Sequence, residues 1–265
     1  MVVFVTYHIP QKIIFNMKIN KFLIAIVYYE RPKVLLNALN SILDIAYPEF
    51  EVHLIDDGSV NKAEPVVREV CSSIIDKFKF DYIDNTVEQK KSQGGSIHGK
   101  YLTEAIRQSD ADHVIVLCDD DAIYPHFLTK LNVLINKEQN KDKHYFYHNM
   151  VLYDSLKESY LVGADRKDLS YFTNQWKVPI NCVCRVDGSQ VTFNRKRFVE
   201  DGIFYPHPQT SGLDAASFQL MFDKWGPAEY SGLISQVKSN NEDNLVYKDR
   251  TEKMFITNDM GENKL

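Results

Sequence analysis

Short apolar segments alternate with amphipathic segments along the first half of the chain. Continuous apolar runs rich in β-branched residues predict buried strands, and apolar residues spaced three or four apart predict helices that pack on them. The predicted strands are 22–28, 52–56, 80–83 and 113–118, and the predicted helices are 33–44, 66–78, 98–108 and 125–137. The polar stretch 85–96 predicts a loop. This alternation is typical of an α/β fold with a mostly parallel central sheet flanked by helices.

The second half of the chain has a less regular pattern. The predicted strands here are 145–153, 190–193 and 233–237, and the predicted helices are 195–200 and 214–224. The stretch 154–186 mixes polar residues with Trp176 and Pro179, and it predicts loop-rich structure.

Composition and charge restrict the class of protein. The 265 residues are 44% hydrophobic and 12% aromatic, which is enough to build the core of one or two domains. The net charge of -5 argues against a general nucleic-acid-binding protein, which needs a surplus of Lys and Arg. The longest apolar run near the start, Phe22 to Tyr29, is far shorter than the roughly 20 residues of a membrane span, so no transmembrane segment is predicted. Four cysteines without zinc-site spacing predict reduced thiols and a cytoplasmic location.

Two clusters of acidic residues follow predicted parallel strands. Asp56-Asp57-Gly58-Ser59 follows the second strand, and Asp119-Asp120-Asp121 follows the strand 113–118. The carboxyl ends of parallel strands meet at one edge of an open sheet, where ligands bind. Adjacent carboxylates repel one another unless a cation or hydrogen-bond donors neutralise them, and Mg²⁺ and Mn²⁺ prefer carboxylate oxygens. The clusters therefore indicate a cation and phosphate site, and the alternative is that they cap turns and helix N-termini.

Two other classes of nucleotide-binding protein fit the sequence less well. Gly94 to Lys100 matches the G-x-x-x-x-G-K pattern of a P-loop hydrolase, but Tyr101 replaces the Ser or Thr that binds the metal. A dinucleotide-dependent oxidoreductase needs a Gly-rich turn after the first strand, and Tyr28 to Pro32 occupies that turn with bulky residues. The P-loop hydrolase remains as the less favoured alternative.

Three segments, in this order, resemble the family 2 glycosyltransferases of the GT-A fold. They are Ile26 to Pro32, Leu54 to Ser59 and Val116 to Asp121. The resemblance implies metal-dependent, inverting transfer of a sugar from a nucleotide-diphosphate sugar to a hydroxyl of a glycan or glycoconjugate. It favours a UDP-sugar over a GDP- or dTDP-sugar, and it implies Mn²⁺ or Mg²⁺ as the cofactor.

The same resemblance implies a single GT-A domain at 21–250. Its nucleotide-sugar half would be 21–122 and its loop-rich acceptor-binding half 123–250. An N-terminal extension at 1–20 and a polar tail at 251–265 would flank this domain.

The resemblance also implies roles for individual residues. Tyr29 corresponds to the aromatic residue that stacks on the nucleotide base, and Asp214 to the carboxylate that takes the proton from the acceptor hydroxyl. Asp121 and Asp119 correspond to the metal ligands. The donor-binding set is Tyr28, Tyr29, Arg31, Asp56, Asp57, Lys100 (or its neighbour His98), Asp119 and Asp120. The acceptor set is Trp176, Ser189, Gln190 and His207.

Two positions depart from the pattern of this family. Tyr28 replaces a threonine in the turn after the first strand, and Leu213 replaces the first acid of the pair that contains the base. A non-catalytic relative that binds nucleotide sugars is therefore a second hypothesis, which a turnover measurement separates from the first.

Overall fold

The computed structural model describes residues 17–84, 86–92, 97–154, 159–161, 178–183, 186–207 and 213–240. Within these residues, strands and helices alternate along the first half as the sequence predicts. The strands are β1 (Phe22–Tyr28), β2 (Phe50–Asp56), β3 (Phe78–Tyr82), β4 (His113–Cys118), β5 (Ala122–Ile123), β6 (Tyr145–Asp154), β7 (Ser159–Leu161), β8 (Val191–Asn194) and β9 (Glu229–Asn240). The α-helices are α1 (Pro32–Leu43), α2 (Ala63–Val70), α3 (Val87–Ser92), α4 (His98–Gln108), α5 (Phe127–Ile135), α6 (Arg195–Glu200) and α7 (Leu213–Trp225).

The described strands form one sheet in the order β3-β2-β1-β4-β8-β6-β9-β5, with β7 paired to β6. The strands β3, β2, β1 and β4 pair in parallel. Strand β8 is antiparallel to β4 and β6, and β9 is parallel to β6 and antiparallel to β5. The predicted α/β class, with a mostly parallel central sheet and flanking helices, is confirmed.

The sheet is buried on both faces because successive side chains of a strand point to opposite sides. In β1, Phe22, Ile24 and Ile26 pack into one core, and Leu23 and Ala25 pack into the other. The first core is closed by residues of α1, α2 and α5, and the second by residues of α4, α6 and α7. A strand covered on both faces needs a continuous apolar sequence, which is why β1 and β4 were visible as apolar runs.

Several boundaries differ from the predicted ones. The predicted helix 66–78 is α2 followed by a 3₁₀ turn at Ser72–Lys77, and Phe78 starts β3 by pairing with Val52. The predicted loop 85–96 contains the short helix α3.

None of the described helices is both long enough and apolar enough to cross a membrane.

Strand β5 was not predicted, because two residues are too few to produce a pattern. It follows Asp121 directly, and its residues Ala122 and Ile123 pair with Val237 and Gln236 of β9. The acidic turn after β4 is therefore fixed against a strand from the far end of the chain.

Candidate active site

A cleft of ≈ 290 Å³ opens at the carboxyl ends of β1 and β4, the edge where ligands bind in open α/β sheets. Both halves of the chain contribute to its walls. The polar or charged residues and the glycine that line it are Arg31, His98, Asp119, Asp120, Asp187, Gly188, Ser189, Asp214 and Lys238.

Arg31, in the turn after β1, binds the acidic turn after β4. Its Nη1 lies 3.0 Å from Oδ2 of Asp120, and its Nη2 donates to Oδ1 of Asp119. The second oxygen of Asp119, Oδ2, is buried and accepts no hydrogen bond from any described residue. Burial raises the pKa of Asp119 to about 6, although Arg31 acts in the opposite direction. One carboxylate oxygen in the cleft is thus left for a further donor or cation.

Carboxylates outnumber permanent cations on the cleft lining. The two permanent cations are Arg31 and Lys238, and the carboxylates are Asp119, Asp120, Asp187 and Asp214. Hard divalent cations such as Mg²⁺ and Mn²⁺ prefer carboxylate oxygens. The surplus of negative charge and the unbonded oxygen of Asp119 therefore fit a divalent cation at the acidic turn.

Asp121 lies beneath the cleft and not on its lining. Its carboxylate is fully buried, and Nζ of Lys238 and Nε2 of Gln236 each lie 3.4 Å from its Oδ2. Burial raises the pKa of Asp121. The family resemblance implies that Asp119 and Asp121 are both metal ligands. In the structure Asp119 lines the cleft, whereas Asp121 forms a buried ion pair with Lys238. The role of Asp121 as a metal ligand stays a prediction.

A second polar cluster lies at the end of β2, beside the cleft. Nζ of Lys90 is 3.1 Å from Oδ2 of Asp57 and 3.7 Å from the centre of the Tyr29 ring. Nδ1 of His98 lies 3.6 Å from the same Asp57 oxygen. Tyr29 is 38% exposed, so part of its ring remains accessible. The predicted base-binding residues Tyr29 and Asp57 are therefore close together.

Besides Tyr29 and Asp57, three more residues of the predicted donor set are not part of the cleft lining. Tyr28 is fully buried in the core, and its hydroxyl donates to the carbonyl of Asn61 at 2.8 Å. Asp56 accepts hydrogen bonds from the backbone of Ser59 and Ala63, so it caps the turn and the start of α2, as the alternative reading of this cluster proposes. Lys100 is exposed on α4.

Asp214 lies in the first turn of α7 and reaches the cleft beside Gly188. The backbone N–H of Gly188 donates to its carboxylate. Burial, together with the neighbouring Asp187, raises the pKa of Asp214 to about 6. A carboxylate with this pKa is ionised at neutral pH, yet it binds a proton more readily than an exposed aspartate does.

Gly188 makes room for this carboxylate, because a Cβ at this position would lie 2.5 Å from Oδ2 of Asp214. We expect Gly188→Ala to displace Asp214 and to lower turnover of the sugar transfer that the sequence predicts about 100-fold, since a displacement near 1 Å costs that much. Affinity for the nucleotide should stay unchanged. Turnover measured for Gly188→Ala, Asp214→Asn and the double variant tests this. If the two losses multiplied in the double variant, the two residues would act independently and the interpretation would be wrong.

The predicted acceptor residues fall into different places. Ser189 lines the cleft, and Gln190 is buried and donates to the carbonyl of His148 at 2.8 Å. His207 is exposed. Trp176 lies outside the described residues.

Sequence reasoning missed Asp187 and Lys238, which both line the cleft. Asp187 directly precedes the segment that contains the predicted acceptor residues Ser189 and Gln190. An aspartate before a glycine in a turn is usually a capping residue, so the sequence gives no sign of a role in the cleft. Its side chain does cap the 3₁₀ turn Gly188–Gln190. Lys238 lies in a strand of mixed polarity, which predicts an exposed side chain.

The comparisons with known proteins give the family and the fold. The model of glycosyl transferase family 2 matches residues 23–185. The structure of S. aureus TarS 1–349 is similar to this chain with a TM-score of 0.62 and 16% identity, over 83% of this chain and 60% of TarS 1–349. The complex of that protein with UDP-GlcNAc gives a TM-score of 0.63 and 16% identity, over 84% of this chain and 60% of the other.

A longer S. aureus TarS structure matches with a TM-score of 0.59 and 16% identity, over 90% of this chain and 40% of that one. The chain thus spans at most about three fifths of the length of these proteins. At this level of identity the likeness shows the shared fold, which is the GT-A fold expected from the sequence. No curated protein matches the chain with significance.

Proposed function

The chain belongs to glycosyl transferase family 2, and from this premise we propose that it transfers a sugar from a nucleotide-diphosphate sugar to a hydroxyl of a glycan or glycoconjugate. The donor is a UDP-sugar in preference to a GDP- or dTDP-sugar, and the transfer inverts the anomeric centre. The observation that carries the proposal is one cleft lined by Arg31, the acidic turn Asp119–Asp120 and the half-buried Asp214.

The donor nucleotide binds at the end of β1 and β2 in this proposal. Tyr29 offers a partly exposed aromatic ring for stacking on the base, and Asp57 offers a carboxylate beside it. The TarS structure with UDP-GlcNAc supports a uridine nucleotide. Residues 21–122 would supply most contacts to the donor, and residues 123–250 would form the acceptor site. Asp187 and Lys238 belong to the second range, yet they line the same cleft as Arg31 and Asp119.

Asp119 and Asp121 would hold a Mg²⁺ or Mn²⁺ ion, which would neutralise the diphosphate and stabilise the departing nucleotide, and Asp120 would contact the donor. Arg31 pairs with one oxygen each of Asp119 and Asp120, which fixes the acidic turn in position before the donor arrives. Oδ2 of Asp119 is buried and accepts no hydrogen bond from any described residue, so it can serve as a ligand atom. Members of this family generally use a divalent metal, which agrees with the negative charge of the cleft.

Asp214 acts as the general base. Its carboxylate takes the proton from the acceptor hydroxyl while that oxygen bonds to the anomeric carbon and the bond from this carbon to the diphosphate breaks. The side chain is half-buried, and its pKa of about 6 suits a base that works at neutral pH. The N–H of Gly188 orients it.

We expect UDP with Mn²⁺ to raise the unfolding temperature of the protein by about 5–10 °C at a ligand concentration 100 times the dissociation constant. The shift should be absent with UDP and EDTA, and smaller with GDP or dTDP. Thermal unfolding of the full chain against this panel measures it, and release of UDP with an acceptor panel measures turnover. If no nucleotide diphosphate shifted the transition, the proposed function would be wrong. Binding without any turnover would favour the non-catalytic relative.

The cysteines support a further part of the proposal, the compartment. Cys71 and Cys118 are free thiols. Unpaired cysteines are usual in reducing compartments, so we propose that the protein works in the cytoplasm.

A further inference from the structure

Glu30 has an unusual backbone conformation in the turn between β1 and α1. Its φ is 53°, in the left-handed region, and among the described residues it is the only one other than glycine with a positive φ. This conformation is unfavourable for a residue with a Cβ, and Gly, Asn or Asp usually occupies it. Strained backbone persists where the surrounding contacts hold it, and it occurs mostly at functional sites.

The contacts that hold Glu30 come from the turn after β2. Its Oε1 accepts a hydrogen bond from the N–H of Val60, and its Oε2 accepts from the N–H and from Nδ2 of Asn61, at 3.2 and 2.9 Å. The N–H of Glu30 donates to Oγ of Ser59 at 3.0 Å. The hydrogen bond from Val60 lowers the pKa of Glu30, so the carboxylate is charged at neutral pH. We call Glu30 and residues 59–61 the turn clasp.

The turn clasp joins the two turns that carry the predicted base-binding residues. Tyr29 directly precedes Glu30, and Asp57 begins the turn after β2. Val60 is 87% exposed, so packing contributes little to this part of the second turn. The hydrogen bonds to Glu30, together with the one from the hydroxyl of Tyr28, therefore hold the two turns together beyond the last residue pair of the β1–β2 ladder.

Lys90 also contacts Tyr29 and Asp57, but in a different way. Its ammonium pairs with the Asp57 carboxylate and lies over the Tyr29 ring. A lysine side chain is flexible, so it can follow these two groups when they move. The clasp bonds backbone N–H groups of one turn to a residue of the other, and it therefore fixes the distance between the two turns.

Arg31, on the other side of Glu30, has anchors of its own. Its guanidinium binds Asp119 and Asp120, and helix α1 begins directly after it. Loss of the clasp should therefore affect Tyr29 more than Arg31. This difference allows an experiment to assign Glu30 to the base end of the donor site and not to its diphosphate end.

We propose that Glu30 is a positioning residue for the nucleotide base of the donor. Its carboxylate ties the turn after β2 to the turn after β1, and this sets the place of the Tyr29 ring relative to Asp57 before the donor binds. The hydrogen bonds of the clasp offset the unfavourable backbone conformation of Glu30. The inference rests on the proposed function, because it takes Tyr29 and Asp57 as the base site.

The test compares two ligands of the full chain, each with Mn²⁺. UDP contacts the base site and the diphosphate site, whereas pyrophosphate contacts the diphosphate site alone. We expect Glu30→Gly to lower UDP affinity about tenfold, the value of one hydrogen bond to a charged group, and to keep pyrophosphate affinity within about twofold. Glycine adopts a φ of 53° without strain, so this variant removes the carboxylate and keeps the turn. Calorimetric titration measures both affinities.

Two other substitutions separate the carboxylate from the backbone strain. Glu30→Ala should lose as much UDP affinity as Glu30→Gly and should unfold about 2–4 °C lower, because alanine is strained in the left-handed region. Glu30→Gln keeps one acceptor oxygen and should lose about threefold, and it tests the proposal even if Glu30→Gly does not fold. Normal UDP affinity in Glu30→Gly, or equal losses for UDP and pyrophosphate, would overturn the proposal.

A double variant shows whether Glu30 acts through the aromatic ring. Tyr29→Ala removes the ring, so the addition of Glu30→Gly should change UDP affinity by less than about twofold. If the two losses multiplied, Glu30 would not act through Tyr29 and the proposal would be wrong. Glu138→Gly removes an exposed glutamate that pairs with Lys141, and as the control it should change neither affinity.

Failure of the proposed function would look different. A wild type that bound no nucleotide diphosphate with Mn²⁺ would contradict the proposed function, whatever the variants do. A wild type that bound UDP, together with a folded Glu30→Gly that bound it equally well, would contradict only the role of Glu30.

Discussion

Asp214→Asn is expected to lower turnover of the glycosyl transfer about 10³-fold, within the range that general bases contribute. The amide keeps the shape of the side chain and its place beside Gly188, but it cannot accept the proton of the attacking hydroxyl. UDP affinity should stay within about twofold of the wild type, because the carboxylate is assigned to the acceptor step and not to the nucleotide. Turnover and UDP binding measured on the same preparation separate the two effects.

The dependence on pH follows from the same residue. Burial raises the pKa of Asp214 to about 6, so the carboxylate binds a proton below that pH and loses its function as a base. We expect kcat/KM to fall about tenfold per pH unit below pH 6. Asp223→Asn, on the exposed side of the same helix, is the matched control and should keep full turnover. Normal turnover in Asp214→Asn would show that another group is the base.

Asp119→Asn is expected to weaken Mn²⁺-dependent UDP binding about 100-fold, since loss of a ligand or of its close support reduces metal affinity by such factors. Asparagine retains an oxygen but removes the charge, and Arg31 then faces the single carboxylate of Asp120. In EDTA the difference between variant and wild type should vanish. Calorimetric titration with UDP measures the UDP affinity of variant and wild type, once with Mn²⁺ and once with EDTA.

Asp110→Asn is the control for this experiment. Asp110 is exposed and pairs with Lys21 near the start of β4, at the opposite end of the strand from the acidic turn. It should bind UDP and Mn²⁺ like the wild type. An Asp119→Asn protein with unchanged Mn²⁺ dependence would place the metal elsewhere in the molecule.

Much of the parallel half of the fold was predictable from the sequence. Strands β1 and β4 begin and end where their apolar runs do, at 22–28 and 113–118, because a strand buried on both faces needs an unbroken apolar sequence. The acidic residues that follow β4 then had to lie at the sheet edge. Asp119 and Asp120 line the cleft, as this argument requires.

The remaining part of the site depends on pairings that no local pattern encodes. Lys238 and Asp121 are 117 residues apart in the sequence, and they meet because β9 pairs with the two-residue strand β5. A strand that contains lysine and glutamine resembles a solvated edge strand, whereas β9 lies inside the sheet. Likewise, Asp56 and Asp57 are adjacent in sequence, but one caps a turn and the other pairs with Lys90. The two aspartates have different partners because their side chains point to different neighbours in the fold, and the residue type alone does not predict this.

The position of β9 between β6 and β5 also has a consequence for biosynthesis. A nascent chain that has been translated only through α6 contains Asp121 and Asp187 but not yet the lysine that neutralises them. Burying unpaired carboxylates is unfavourable, so the acidic turn should stay hydrated at this stage. The acidic turn closes only when β9 pairs with β5 and β6, which are translated much earlier. Contacts between segments so distant in sequence form slowly. The strands β1 to β4 can therefore pair on the ribosome well before the acidic turn that follows β4 is closed.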